Sequence, residues 1–458
     1  MARGNLLFAL EEIAQEVVDT EDSQSVMEVS AAEVAAQEAE VTQYADDIDT
    51  AGAEVQTLQK TQDVVAQTVE CGEGMSEDAA QITQVVVESI FTKLNLTKNY
   101  NLIPAVESFG SSNSRLAASK IALENIGEVV KKIWTAIING IKTMVQKVTE
   151  FFQTLFSNIG SIKKAAEAMK KKAEEIKGKT SDVKEIENSA MAKAFTVDGK
   201  VDLATASKVF KMHAIYTKGA VLGSQTVDKV LSVIDKVINT KDADADKMKN
   251  DVRNVVEPMM EFLEKTSKMA VSGAGVLEDI KGLPEGQTGK VSKVGPYFGG
   301  NFITTSLVID KNEVPVSFKI EYTAGESKAA KDAKLKVLSY DDINNICDAV
   351  TELMADTEAY KKHMDSWKKD SANMIKAGDS IMKVLENNAK DKPGVSAVLA
   401  GLRRIFTDTF TVSHKMFTKM PGWNVALSKA ALNYAGASIA AYKGEAVAQP
   451  VKGLPAPK

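Results

Sequence analysis

Apolar residues recur at three- and four-residue intervals over most of this chain, and the longest run defines its principal helix. Within 117–160, Ile126, Val130, Ile133, Ile137, Ile141, Met144, Val148, Phe151, Leu155 and Ile159 form one row. Val129, Trp134, Ile138, Val145, Phe152 and Phe156 form a second. Two rows make a face too broad for a surface helix, so the pattern predicts burial on several sides inside a bundle. A sparser pattern precedes it. Val34, Val41, Ile48, Val55, Gln62 and Val69 fall seven apart, a heptad-like seam of mostly β-branched residues that predicts an extended helix or coiled coil over 9–70. With so few apolar side chains that helix is marginal in isolation. Residues 76–95 predict another, capped by Ser76 or Glu77, with Ile82, Val85, Val86, Ile90 and Leu94 on one face.

Further helical periodicity covers 201–240 and 244–272, then 340–390, 394–418 and 423–443, the last breaks falling at Lys392-Pro393-Gly394 and Pro421-Gly422. Ser339 and Asp342 have capping-box spacing. Between 286 and 338 the period drops to two. Phe302–Ile309 and the alternating Val314, Val316, Phe318, Ile320 and Tyr322 flank Asp310-Lys311-Asn312-Glu313, which predicts a hairpin. Pro315 assigns its strand to an edge, and Leu335–Leu338 is a candidate third strand. The expected fold is mainly α: an elongated helical-bundle body, a small antiparallel β-hairpin or meander insertion, and a weakly structured acidic helical N-terminal segment. That segment is expected to span 1–107. The bundle is expected to occupy 108–285 and 339–445 on either side of the β insertion at 286–338, with a disordered tail at 446–458.

Composition agrees: aromatic residues are 6% and prolines number 10, which suits helices better than a β-sandwich. Charge adds something the hydropathy pattern does not contain. Residues 1–107 hold 4 Lys/Arg and 21 Asp/Glu, a net of −17, and the remainder holds 52 and 41, a net of +11. The whole-chain net of −6 conceals the split. At the junction, Pro104 and then Ser108-Phe109-Gly110-Ser111-Ser112 predict an exposed, protease-accessible connection. Cys71 and Cys347 lie on opposite sides of it, so a cut there leaves each product with one thiol, a usage that suits a reducing cytoplasm. The short N-terminal apolar run ends at Glu11-Glu12, too soon for a secretory signal, and no apolar run predicts a stable membrane span.

Candidate chemistry is thin. His213, His363 and His414 lack partners at metal-ligand spacing, and Asp242-Ala243-Asp244-Ala245-Asp246 lacks the glycine and glutamate of a calcium loop. Gly282 to Lys290 resembles a phosphate loop but has Pro284 and Val291 where glycine and a hydroxyl residue belong, so it predicts a flexible connector. No metal, cofactor or catalytic residue is expected. Lys163, Lys164, Lys170, Lys171, Lys172, Lys177 and Lys179 are candidate contacts for phosphate or DNA, sequence-blind and salt-sensitive. The same lysines also read as an exposed helix face paired with Glu167, Glu174 and Glu175.

Three stretches resemble the processed internal head (prohead core) proteins of large tailed phages of the giant myophage type. They are Ala105-Val106-Glu107 with Ser108-Phe109-Gly110, Ser119-Lys120-Ile121-Ala122-Leu123-Glu124 leading into the long helix, and Ala430-Ala431-Leu432-Asn433-Tyr434 with Ala441-Tyr442. The first is similar to the small-residue–X–Glu sites cut by prohead proteases. The tripeptide also ends at Glu11, Glu33, Glu38, Glu54, Glu124 and Glu167, so its coincidence with the charge switch and the linker carries the weight. The resemblance, over roughly 105–445, implies a non-enzymatic virion protein made in the host cytoplasm and resident in the capsid interior. It implies a prohead protease acting at Ala105, Val106, Glu107 and Ser108, capsid and core proteins as partners, packaged DNA as a non-specific electrostatic partner, and ejection with that DNA as a further step. Two alternatives stand beside it: a cytoplasmic helical scaffold, and a membrane-active helical effector using 126–159.

Overall fold

The computed structural model describes residues 23–94, 102–187, 195, 203–219, 222–239, 245–269, 277–323, 334–388 and 393–443. The first 22 residues, the tail and most of the aspartate run at 242–246 lie outside them. The chain is mainly helical with a small antiparallel sheet, as its periodicity implies.

Three long helices make the centre: α1 (Ser23–Glu70), α3 (Ser112–Ala173) and α10 (Pro393–Lys443). At 1.5 Å per residue, α3 has a contour length of about 90 Å. Helix α2 (Glu77–Lys93) follows α1, and the Ser76 hydroxyl caps it by accepting from the Ala79 N–H at 3.2 Å. The first four positions of the heptad seam, Val34, Val41, Ile48 and Val55, are buried and joined by Ala45, Leu58 and Val65, whereas Gln62 and Val69 are only half-buried because the inward face shifts to Leu58 and Val65. Those residues pack on both α3 and α10. Contacts between α1 and α3 run in opposite senses, Glu40 to Lys147, Ile48 beside Gly140 and Gln62 beside Gly127. Those between α1 and α10 do the same, Glu38 to Lys419, Asp46 to Lys415 and Gly52 against Thr407. Acidic α1 is therefore antiparallel to two parallel helices and packs against both. The tertiary structure supplies the apolar partners that its own sequence lacks.

Several expected boundaries move. Helix α3 starts at Ser112 and runs through the first half of the lysine-rich stretch, because Ile162, Ala166, Met169 and Ala173 continue its buried row. Helix α10 does not break at Pro421-Gly422 but carries Pro421 inside. It is buried on nearly every face from Val398 to Leu432, and this surrounding packing offsets the one hydrogen bond proline removes. The expected helix over 340–390 is two, α8 (Tyr340–Glu358) and α9 (Lys361–Asn388), turned at buried Tyr360. The stretch 201–240 likewise divides into α4 (Leu203–Gly219) and α5 (Leu222–Ile238), and 244–272 into α6 (Ala245–Arg253) and α7 (Val256–Ser267). On α2 the expected face is half wrong: Ile82 and Val85 are 66% and 62% exposed, while Ala80, Thr83, Val87, Ile90 and Phe91 face inward. The Ser339 capping box forms as expected, closed by reciprocal bonds with Asp342 at 3.2 Å.

The β element is the meander form of the expected insertion, with two strands preceding the 302–322 hairpin. Strands β2 (Leu277–Asp279), β3 (Gln287–Val294), β4 (Phe302–Asp310) and β5 (Pro315–Thr323) form an antiparallel meander in that order, with β5 and Pro315 at an edge. The stretch expected as a flexible connector is the β2–β3 turn plus half of β3, with Gly282 and Gly286 supplying positive φ. The 335–338 segment does not join this sheet. Its strand β6 (Lys334–Lys336) pairs with β1 (Glu185–Glu187) just beyond α3.

Candidate processing site and basic surface

The Glu107 junction is anchored on both sides and exposed between. Leu102, Ile103 and Phe109 are buried, whereas Ala105 and Glu107 are exposed and Val106 and Ser108 half-buried. The Asn125 amide donates to the Leu102 carbonyl at 3.1 Å and Arg115 Nε to the Phe109 carbonyl at 3.1 Å. Val106–Phe109 forms a single 3₁₀ turn, its Ser108 N–H donating to the Ala105 carbonyl at 2.8 Å. The Glu107–Ser108 bond is thus presented at the surface in a short, weak helical turn. Laying it out in extended form requires that turn to open and the Phe109 ring to leave its pocket, a local opening rather than global unfolding.

The other small-X-Glu copies behave differently. Glu38 and Glu54 are buried and ion-paired, to Lys419 at 2.8 Å and Lys93 at 2.9 Å. Those ending at Glu124 and Glu167 have a buried alanine within α3. Glu33 is exposed, and the copy ending at Glu11 lies outside the described residues.

The lysine cluster divides into two sets. Lys163 pairs with Glu358 at 2.7 Å, Lys170 with Asp348 at 2.7 Å and Lys177 with Glu174 at 3.4 Å. Lys164, Lys171, Lys172 and Lys179 are exposed and make no ion pair among the described residues. Of the intrahelical partners expected, only Glu174 takes one of these lysines; Glu175 pairs instead with Lys443 at 2.9 Å. Helix α8 supplies most of the compensation, with six carboxylates and no lysine or arginine. The hydrogen bond from Lys163 holds Glu358 below the usual carboxylate range, and the Asp348 hydrogen bond raises Lys170. This surface is therefore less basic than its sequence suggests.

A third cluster was invisible along the chain. Arg404 of α10 donates to Asp49 of α1 at 2.8 Å and pairs with Asp408 one turn on at 2.8 Å. Asp408 accepts from the Phe318 N–H of β5 at 2.7 Å, and Lys319 reaches Asp49 at 3.6 Å. One network, buried at Arg404 and Asp408 and reaching the surface at Asp49 and Lys319, thereby joins the acidic helix, the C-terminal helix and the edge strand of the sheet. Burial pushes the Asp408 carboxyl up to about 7 against the opposing pull of Arg404 and the Phe318 N–H. Next to it, Arg403 is buried with its guanidinium 5.6 Å from the Trp134 ring, where burial lowers it to about 9 while Asp63 of α1 pulls the other way. A second buried network centres on Asn424, which donates to Thr217 and Thr357 at 2.9 Å and meets His213 at 2.8 Å. His213 and His414 are fully buried, lowered to about 4 by burial, and locally hydrogen-bonded, His213 to Asn424 and His414 to the Phe410 carbonyl at 2.8 Å. Their role is packing and hydrogen bonding. No group of three His, Cys, Asp or Glu capable of holding a metal occurs among the described residues, and no helix there is long and apolar enough to cross a membrane.

The described residues form a mainly helical protein whose long helices are joined by buried ion and hydrogen-bond networks. The chain belongs to the phiKZ-like phage internal head proteins, whose family model matches residues 36–437. That match confirms the resemblance and extends it. It begins two residues after Val34, inside acidic α1, and ends inside α10, so the acidic helix belongs to the unit the family shares. No curated protein and no solved structure matches the chain. Membership makes this a component of the phage head interior, with capsid-associated proteins as its neighbours.

Proposed function

We propose that this is a non-enzymatic internal head component that assembles with prohead core proteins, is cut after Glu107 by a prohead protease, and lies beside packaged DNA in the capsid. Family membership carries the reading. The cut is supported by the exposed Ala105 and Glu107 on a single 3₁₀ turn between buried anchors. The DNA contact is supported by Lys164, Lys171, Lys172 and Lys179, exposed and without an ion pair among the described residues, which suit phosphate neutralisation without base readout. Ejection with the DNA belongs to the same reading.

Mass spectrometry of virion-derived protein tests the cut. A semi-specific peptide beginning at Ser108 is expected, and intact peptides spanning 100–115 as the dominant species would sink it. For the DNA contact, replacing those four lysines with serine should flatten the salt dependence of duplex binding by about 0.9 in log–log slope for each phosphate no longer neutralised. An unchanged slope removes those residues from the interface.

A further inference from the structure

We infer that the groove between α3 and α10 is a binding site for an acidic amphipathic helix, and that α1 stays seated in it after the chain is cut at Glu107. The cut would then give a two-chain molecule rather than release of the acidic segment. Every polar partner that α1 finds on α3, α10 and β5 lies beyond residue 107. Glu38 pairs with Lys419 at 2.8 Å, Glu40 with Lys147 at 3.2 Å and Asp49 with Arg404 at 2.8 Å, and Asp46 pairs with Lys415. The carboxylates alternate with the apolar seam, so the groove reads charge and shape together.

Shape is tightest at Gly52 and Gly422, with an ordinary packing contact at Gly140. A Cβ on Gly52 would sit 2.7 Å from the Thr407 hydroxyl, one on Gly422 would sit 3.2 Å from Glu38, and one on Gly140 would sit 3.6 Å from Ile48. Withdrawing α1 would expose the buried Val34, Val41, Ile48, Val55, Leu58 and Val65 seam and its apolar partners. It would also strip Arg404 of Asp49 and distance Arg403 from Asp63, leaving cations short of compensation on the body. Breaking one exposed peptide bond removes none of these interactions. It only makes the contact bimolecular, and a crowded capsid interior restores much of the lost effective concentration. While α1 is seated, burial of Glu38 and Glu54 withholds the two small-X-Glu copies within the seam, and a cut at the exposed Glu33 would leave the seam from Val34 onward in place.

The proposed cut supplies the biological setting and rests on the reading above, but retention of α1 can be tested whether or not virions carry that cut. The full-length chain would carry a site-specific protease sequence inserted between Glu107 and Ser108, be cleaved, and be run on size exclusion at 0.15 M and 1 M NaCl. Both fragments should co-elute at the position of the uncut chain at both salts and separate only in denaturant. Elution of the N-terminal fragment apart from the body at 0.15 M NaCl overturns the inference. The double variant Ile48→Asp/Val55→Asp in the same background checks that the seam is what holds them. Its uncut form should remain helical by circular dichroism, and its cleaved form should release at least ten times more free fragment. Retention as firm as in the unsubstituted protein would overturn the role of the groove. If virions lack a Ser108 terminus while co-elution holds, the proposed cut fails and the groove stands.

Discussion

Truncating Ile48 to alanine measures whether the acidic helix is integral to the core. Ile48 is buried on α1 and faces α3 at Gly140, where a glycine offers no side chain to collapse into the space left behind. A large-to-small change at a buried isoleucine costs about 2–5 kcal/mol, and a site that cannot relax belongs in the upper half, about 3–5 kcal/mol. Val64 on the same helix is 61% exposed, and Val64→Ala should cost less than about 0.5 kcal/mol. Both changes leave charge untouched and have comparable helix-propensity effects, so the difference between them isolates burial. Urea unfolding followed by far-UV circular dichroism and by fluorescence of Trp134, Trp367 and Trp423 gives both values on one protein. A global loss of stability from Ile48→Ala should appear in the tryptophan signal, because those residues sit on α3, α9 and α10. If Ile48→Ala costs no more than Val64→Ala, or moves only the helical signal, then α1 is a detachable arm and the buried seam is wrong.

The buried titratable groups set opposing pH trends. Asp408 has a folded pKa of about 7, raised from 3.8, so its stabilising contribution is complete below pH 4 and is lost as pH rises through 7. The span is about 4 kcal/mol, and Asp408→Asn should remove that slope from a stability–pH profile. A wild-type minus variant difference that stays flat from pH 4 to 8 would refute it. His213 and His414 act the other way, since folded pKa values of about 4 make their contribution complete above pH 6.5 and lost as pH falls through 4. Each should account for about 3 kcal/mol of acid destabilisation, measured as the pH slope that a His→Gln variant loses. Gly74 has a φ of 68°, and a Cβ there would lie 2.8 Å from the Arg115 backbone, where no flexible side chain can give way. Gly74→Ala should therefore destabilise by more than about 1 kcal/mol, while Gly72→Ala, at similar φ but facing open space, should cost only the strain of its backbone. Equal unfolding midpoints for the two variants would refute the close approach.

Hydropathy spacing alone determined that the segments of α1, α3 and α10 are helical and that Val34, Val41, Ile48 and Val55 line the α1 seam, because helical periodicity is a local property of the chain. Charge counting found the Glu107 junction for the same reason. Tertiary structure decided how these pieces combine. The run Val85-Val86-Val87 offers α2 two apolar faces, and packing of Val87, Ile90 and Phe91 selected one of them. Pro421 stays within α10 because the helix is enclosed by neighbours, which no local signal records. Strand β6 chose β1, about 150 residues upstream, over the nearer meander. Lys163 and Lys170 of the lysine cluster find their partners on α8, nearly two hundred residues away, where no local spacing points. Most of all, the −17 and +11 halves read as separable because sequence shows charge without distance. Folding sets Glu38, Asp46 and Asp49 within reach of Lys419, Lys415 and Arg404, so the opposite charges of the two halves become a reason for them to stay together.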